Sequence, residues 1–239
     1  MQLKGKTAII TGATGGLGTA VARELDSAGA NLVLTGRDAA KLDKLASSCS
    51  SARTLAGEMT DPALPQRLLD LAAESFGGTD ILFNNAGVMR VGTIDDADVE
   101  ALCAMVRLNF EAAVRMAYAA VRHMKSRNQG YVVNTSSIAG IKVTDPRAAV
   151  YTGTKMALEG FTESLRLELA GTGVGIGCVE PGGVRTGLYD DWKGDVKAWA
   201  DSTDMLAPED VARAVRFMLE QPDHVRIPKL FVVPAGQAA

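Results

Sequence analysis

The chain has 239 residues, with 25 Lys and Arg against 28 Asp and Glu, a net charge of −3 and a pI near 5.5. That balance excludes the large positive field needed to hold a nucleic-acid backbone or an acidic membrane surface. A composition that is 47% hydrophobic and 22% charged also excludes a disordered chain. From one end to the other, short apolar runs alternate with longer helical periodicities, the rhythm of a parallel sheet covered by helices. The first unit predicts a strand over 7–10, a Gly-rich turn, a helix over 16–27 and a strand over 31–35. A helix near 38–47, a strand near 53–56, a helix over 61–76 and a strand over 80–83 follow. One long helix is expected over 98–127, then a strand over 131–135, a helix over 150–169 and a strand over 174–179. Pro208, Glu209 and Asp210 open a last helix, with proline in the first turn and acids at the positive end of the dipole, and a seventh strand is expected over 229–233. The reading is α/β: a Rossmann-like doubly wound parallel sheet of about seven strands, in one domain over 1–239.

The N-terminal residues run directly into an apolar strand, which leaves no room for a cleavable leader, and no apolar run reaches the roughly 18 residues of a membrane span. Cys49, Cys103 and Cys178 are widely separated and form no CxxC pair, which points away from a disulfide framework and towards a reducing, cytoplasmic setting. His123 and His224 have no second ligand at metal spacing, so no metal site is expected. A G-x-S-x-G elbow is absent, which weakens a serine-hydrolase reading.

The segment Thr11-Gly12-Ala13-Thr14-Gly15-Gly16-Leu17-Gly18 ends a strand and opens a helix, where a dinucleotide fold presents backbone N–H groups to a pyrophosphate. Its spacing resembles the TGxxxGxG turn of the short-chain dehydrogenase/reductase family. Asn84-Asn85-Ala86-Gly87 resembles the NNAG motif, Tyr151-xxx-Lys155 the YxxxK pair and Pro181-Gly182 the PG pair, with Asn109 and Ser137 between them in the expected order. The resemblance covers essentially the whole chain. Its ending, Ala207 to Val211 with Pro222 to Val225, resembles the branch that holds NADP-dependent hydroxy-acid and serine-type dehydrogenases and small-carbonyl reductases.

Tyr151 and Lys155, four residues apart on a helix, share one face. An ammonium about 4 Å from the phenol, at an effective dielectric of about 20, is worth roughly 4 kcal/mol and would carry the phenol from a pKa of ~10 towards ~7. The resemblance implies that Tyr151 is the general acid and base, that Lys155 tunes it and binds the nicotinamide ribose, and that Ser137, rather than its neighbour Ser136, holds the substrate oxygen. Asn109 would hold a water relay behind Lys155. The cofactor would meet Gly12, Thr14, Gly16, Leu17, Gly18, Arg37, Glu58, Met59, Asn85, Ala86, Gly87, Pro181, Gly182, Val184 and Thr186.

After the second strand the chain has Arg37 and no acid, which favours a ribose 2′-phosphate and so NADP(H) over NAD(H). A second base, common in the Gly-rich turn of NADP-linked relatives, is replaced by Gly15, and Glu58 stands where an Asp usually meets the adenine. The segment 185–206 is read as a lid over the substrate. Its Leu188, Tyr189, Trp192 and Trp199 either line the pocket or face an anchor or subunit interface, and three cations against five acids there offer little to a strongly anionic substrate. His224 is read as structural. The resemblance also implies a homodimer or homotetramer; the apolar stripe Phe161, Leu165 and Leu169 fits a two-fold interface or a core face equally. The functional reading is hydride transfer between NADP(H) and a small carbonyl or secondary alcohol. A ketoacyl thioester reductase and a non-catalytic NADP(H) sensor are the alternatives.

Overall fold

The computed structural model describes residues 1–189 and 204–237. Seven strands, β1 (Thr7–Thr11), β2 (Asn31–Gly36), β3 (Ala52–Ala56), β4 (Ile81–Asn84), β5 (Gly130–Thr135), β6 (Val174–Pro181) and β7 (Lys229–Val232), make one sheet in the order β3-β2-β1-β4-β5-β6-β7. Every pairing in it is parallel. The order reverses between β1 and β4, and at such a reversal a crevice opens beyond the carboxyl ends of the strands. The central strands are buried on both faces, which is why they read as unbroken apolar runs rather than as alternating patterns.

The helices are α1 (Gly16–Ser27), α2 (Ala39–Ala46), α3 (Leu64–Phe76), α4 (Val99–Val106), α5 (Ala112–Ser126), α6 (Ala149–Glu168) and α7 (Pro208–Leu219). Adjacent strand residues point to opposite faces. Ile10 and Leu34 therefore pack with Val21 and Leu25 of α1, Leu42 of α2 and Val215 of α7. Ile9, Val33 and Leu82 pack on the other face with Leu68 of α3, Met116 of α5 and Leu165 of α6. Local chemistry sets the helix starts. Asp38 and Asp98 accept hydrogen bonds from the third N–H of α2 and α4, each at 3.0 Å, and Asp210 accepts from Ala207 N at 2.8 Å at the start of α7.

One expectation is corrected, and one alternative left open by the sequence falls to the core face. The single helix over 98–127 is interrupted by a π-turn, Arg107–Glu111, between α4 and α5, and such bulges concentrate where a side chain is re-aimed for function. The stripe Phe161, Leu165 and Leu169 is not a surface stripe: Leu165 and Leu169 are buried in the subunit's own core, and Phe161 packs edge-on to Phe110. The apolar side chains that α5 and α6 do expose are Tyr118, Met156 and Leu167. Among the described residues no helix is long and apolar enough to cross a membrane, and no cluster of ligating side chains could hold a metal ion.

Candidate active site

The turn between β1 and α1 is built around glycines that tolerate no side chain. Gly12 has φ +64, and a Cβ there would lie 2.9 Å from Ala86 Cα; a Cβ on Gly18 would lie 2.3 Å from the Gly12 carbonyl oxygen. Gly15 at the head of α1 provides no side-chain cap, so the first-turn N–H groups face the crevice rather than a cap. The NNAG segment braces this turn. Thr11 Oγ1 accepts from Asn85 N at 2.8 Å and Ala86 N at 3.0 Å, while Asn85 Nδ2 donates to Thr11 O at 3.1 Å.

One cavity of about 1400 Å³ runs from this turn across the carboxyl edge of the sheet. At one end it is lined by Thr14, Arg37, Glu58 and Met59, in the middle by Asn85 to Gly87, and at the other by Ser137, Tyr151, Lys155 and the strand-end residues Pro181 to Val184. All of the expected cofactor contacts except Gly18 line it, and Gly18 acts from beneath through its close approach to Gly12.

Tyr151 and Lys155 emerge from the first turns of α6, both buried yet both lining the cavity. Lys155 Nζ donates to Thr135 O at 2.7 Å and lies 5.7 Å from the centre of the Tyr151 ring. Burial lowers Lys155 to about 8, opposed by Cys178 on β6 and by Glu159 one turn along. The two serines after β5 separate cleanly. Both line the cavity, but Ser136 Oγ is buried under the Gly140 turn without a hydrogen-bond partner, whereas Ser137 is half-buried and its Oγ accepts from Ala139 N at 3.1 Å. Asn109 sits in the π-turn, and its amide is committed to the loop after β4: Oδ1 accepts from Val88 N at 2.9 Å and Nδ2 donates to Val88 O at 2.8 Å. Its side chain therefore holds that loop in place.

The geometry is that of a nucleotide crevice ending on a tyrosine–lysine pair, and the family model for short chain dehydrogenases matches residues 6–197. The chain belongs to the short-chain dehydrogenase/reductase family. Among relatives of this short-chain dehydrogenase/reductase, an uncharacterized oxidoreductase of Staphylococcus aureus strain USA300 is 35% identical over 236 residues, 97% of this chain and 98% of that one. A closed form of serine dehydrogenase complexed with NADP+ superposes with a TM-score of 0.90 at 30% identity, covering 98% of this chain and 96% of that one. Serine dehydrogenase from Escherichia coli gives 0.85 at 29% identity, with 98% and 100% covered. This short-chain dehydrogenase/reductase is accordingly an oxidoreductase with the family's nucleotide-binding fold.

Three contributors carry no motif in the sequence. Lys41, one turn into α2, lines the cavity beside Arg37 and supplies a second base that Gly15 does not. Gln237, near the C-terminus, reaches back so that its Oε1 accepts from Gly183 N at 2.9 Å at the cavity wall. The third is the Thr135 carbonyl that receives Lys155. A contact across such sequence distances leaves no spacing signal; for Lys41 the signal was available, because position 41 faces the end of β2 once α2 is placed. The two ends of the 185–206 segment are joined, with Arg185 N donating to Leu206 O and Leu206 N to Gly183 O, each at 2.9 Å, and Thr186 and Leu188 line the cavity. Trp192 and Trp199 lie outside the described residues. His224 is exposed and lines no cavity, and His123 Nε2 accepts from Thr79 N at 3.1 Å far from the crevice.

Proposed function

We propose that this short-chain dehydrogenase/reductase moves a hydride between NADP(H) and a small hydroxy acid or its carbonyl counterpart, in one domain whose 185–206 segment covers the substrate. The observation that carries this reading is the Tyr151–Lys155 pair in the same cavity as the Gly-rich turn. The site fits the cofactor because the turn leaves a cradle that a Cβ would fill, at an uncapped helix N-terminus. NADP(H), when bound, supplies or accepts the hydride. Tyr151 gives its proton to the substrate oxygen as a carbonyl is reduced and takes it back in alcohol oxidation. Lys155 favours the phenolate by its charge and would hold the ribose, Ser137 orients the substrate oxygen, and Asn109 positions the Val88 loop.

The choice of NADP(H) over NAD(H) is supported by Arg37 and Lys41 at the end of β2 and by the NADP+ complex of the serine dehydrogenase neighbour. A hydroxy acid is supported by that neighbour and by Arg90, Lys142 and Arg147, which line the cavity near Ser137 and Tyr151 with Asp145, so the walls beside the lid are more cationic than the lid itself. Arg37→Ala is expected to weaken NADPH binding by roughly 10–100-fold, the worth of about 1.5–3 kcal/mol in charge-assisted hydrogen bonds, and to leave NADH nearly unchanged. Fluorescence titration with both cofactors checks this; equal losses for the two would remove Arg37 from the 2′-phosphate.

A substrate panel followed by nicotinamide absorbance tests the reaction. Turnover of β-hydroxy acids supports the reading, preference for acetoacetyl thioesters would replace it with ketoacyl reduction, and tight NADPH binding without turnover of any member would favour the sensor. We also propose cytoplasmic residence, supported by three free thiols, and a dimer or tetramer packed through the exposed Met156 and Leu167 face of α6. Light scattering should then give a multiple of 25.0 kDa, reduced to the single-chain mass by Met156→Glu with Leu167→Glu.

A further inference from the structure

Behind Lys155, on the side away from the cavity, lies a second group of ionisable side chains that hydride transfer itself does not call on. The two-residue period of β6 turns Cys178 and Glu180 to the α6 face of the sheet, and the register Cys178↔Lys229 brings Lys229 of β7 to the same face. From α6, Lys155, Glu159 and Thr162 point back at them, at the spacing of one helix face. Glu159 and Glu180 are 7% and 3% exposed, unusual for carboxylates. Lys229 Nζ lies 2.9 Å from Glu159 and 3.9 Å from Glu180, and Cys178 Sγ lies 3.4 Å from Thr162 Oγ1.

Two carboxylates buried together do not both ionise easily. Burial, then the charge of Glu159, push Glu180 up to about 7, with Lys229 opposing. The closer ion pair of Lys229 is with Glu159, at 2.9 Å against 3.9 Å for Glu180. Burial pushes the Cys178 thiol up, so it stays neutral and adds no charge. The groups facing Glu159 are therefore Lys155 and Glu163 on its own helix, Cys178 and Glu180 on β6 and Lys229 on β7, and among them Lys155 alone reaches the reacting end of the cavity. Lys155 itself is 6% exposed, with the Thr135 carbonyl as its hydrogen-bond acceptor, a site in which an ammonium without a counter-charge tends to lose its proton.

We propose that Glu159, anchored by Lys229, is a positioning residue whose charge keeps the ammonium of Lys155 protonated in its dry site. The inference rests on the Tyr151–Lys155 reading above for its catalytic meaning, but not for its test. With Glu159 ionised, Lys155 stays charged through neutral pH and continues to favour the phenolate of Tyr151. Without it, Lys155 becomes neutral at lower pH and the phenol recovers its ordinary reluctance to ionise. Glu180 stands on β6, off the helix face that carries Lys155, and its charged neighbours are Glu159 and Lys229.

The test is the pH titration of the Lys155 ¹³Cε resonance in ¹³C-lysine-labelled protein, assigned with Lys155→Met. Glu159→Gln should lower the Lys155 midpoint by about one pH unit, while Glu180→Gln, an equally buried and equally conservative change, should leave it nearly in place. Equal shifts in the two variants, or none in Glu159→Gln, would overturn the proposal. If Glu159→Gln does not fold, the double variant Glu159→Gln with Lys229→Met removes both members of the ion pair, a change buried pairs commonly tolerate, and the same downward shift is expected. In turnover, the acid limb of alcohol oxidation should move to higher pH in Glu159→Gln and not in Glu180→Gln. A protein that shows the resonance shift but no turnover of any substrate would retain this inference and reject the proposed reaction.

Discussion

Tyr151→Phe is expected to lower kcat in both directions by about 10²- to 10⁴-fold, the range for loss of a positioned general acid–base group, with NADPH affinity little changed. The ring is buried at the cavity wall and packs with Met105, Ala139 and Ala148. Phe keeps that packing and removes only the oxygen. Lys155 is expected to keep its bond to Thr135 O in the variant, and with it the position from which it would meet the cofactor ribose. Steady-state rates beside a fluorescence titration of NADPH separate the two effects. A variant that retained more than about a tenth of wild-type kcat would show that another group delivers the proton, and a matching loss of NADPH binding would show that the phenol acts as a ligand rather than as an acid.

The second large effect is expected from a single methyl group. Gly18→Ala places a Cβ 2.3 Å from the Gly12 carbonyl oxygen and 2.9 Å from Ala13 Cα, both main-chain atoms with no flexible end to yield. The turn must move as a unit, at a cost of about 1–3 kcal/mol in stability, and the N–H groups at the head of α1 leave the position from which they would meet a pyrophosphate. We expect NADPH affinity to fall by at least about tenfold, since displacing one or more charge-assisted hydrogen bonds costs about 1.5–3 kcal/mol. Gly15→Ala is the control, because its Cβ would meet only the Gly12 carbonyl oxygen at an ordinary 3.4 Å. Thermal denaturation with and without NADPH reads both quantities. Similar behaviour of the two variants would mean that the close approach at Gly18 does not set the shape of the turn.

Much of the fold was legible because it is local. Most strands of the sheet read as short apolar runs, and several helix starts have their own chemical mark, such as Asp38, Asp98 or Pro208. The π-turn at Arg107–Glu111 was not legible, because nothing in the local pattern marks it: Asn109 within it exchanges two hydrogen bonds with Val88, 21 residues away in the chain. The stripe of Phe161, Leu165 and Leu169 was ambiguous for a related reason. Periodicity says that a helix has an apolar face but not whether its own sheet or a second subunit covers it, and here the sheet takes Leu165 and Leu169.

By itself, the amino-acid sequence determined the α/β class, the glycine turn at the head of the first helix and the Tyr151–Lys155 pair, since each depends on residues within a few positions of one another, where backbone geometry translates spacing directly into shape. Tertiary structure alone decided that Gln237 joins the cavity wall, and that Glu159, Glu180 and Lys229 meet behind Lys155. Gln237 is 54 residues from the Gly183 N–H it accepts from, and Lys229 is 70 residues from Glu159; such meetings are set by sheet order and register, which no local pattern encodes.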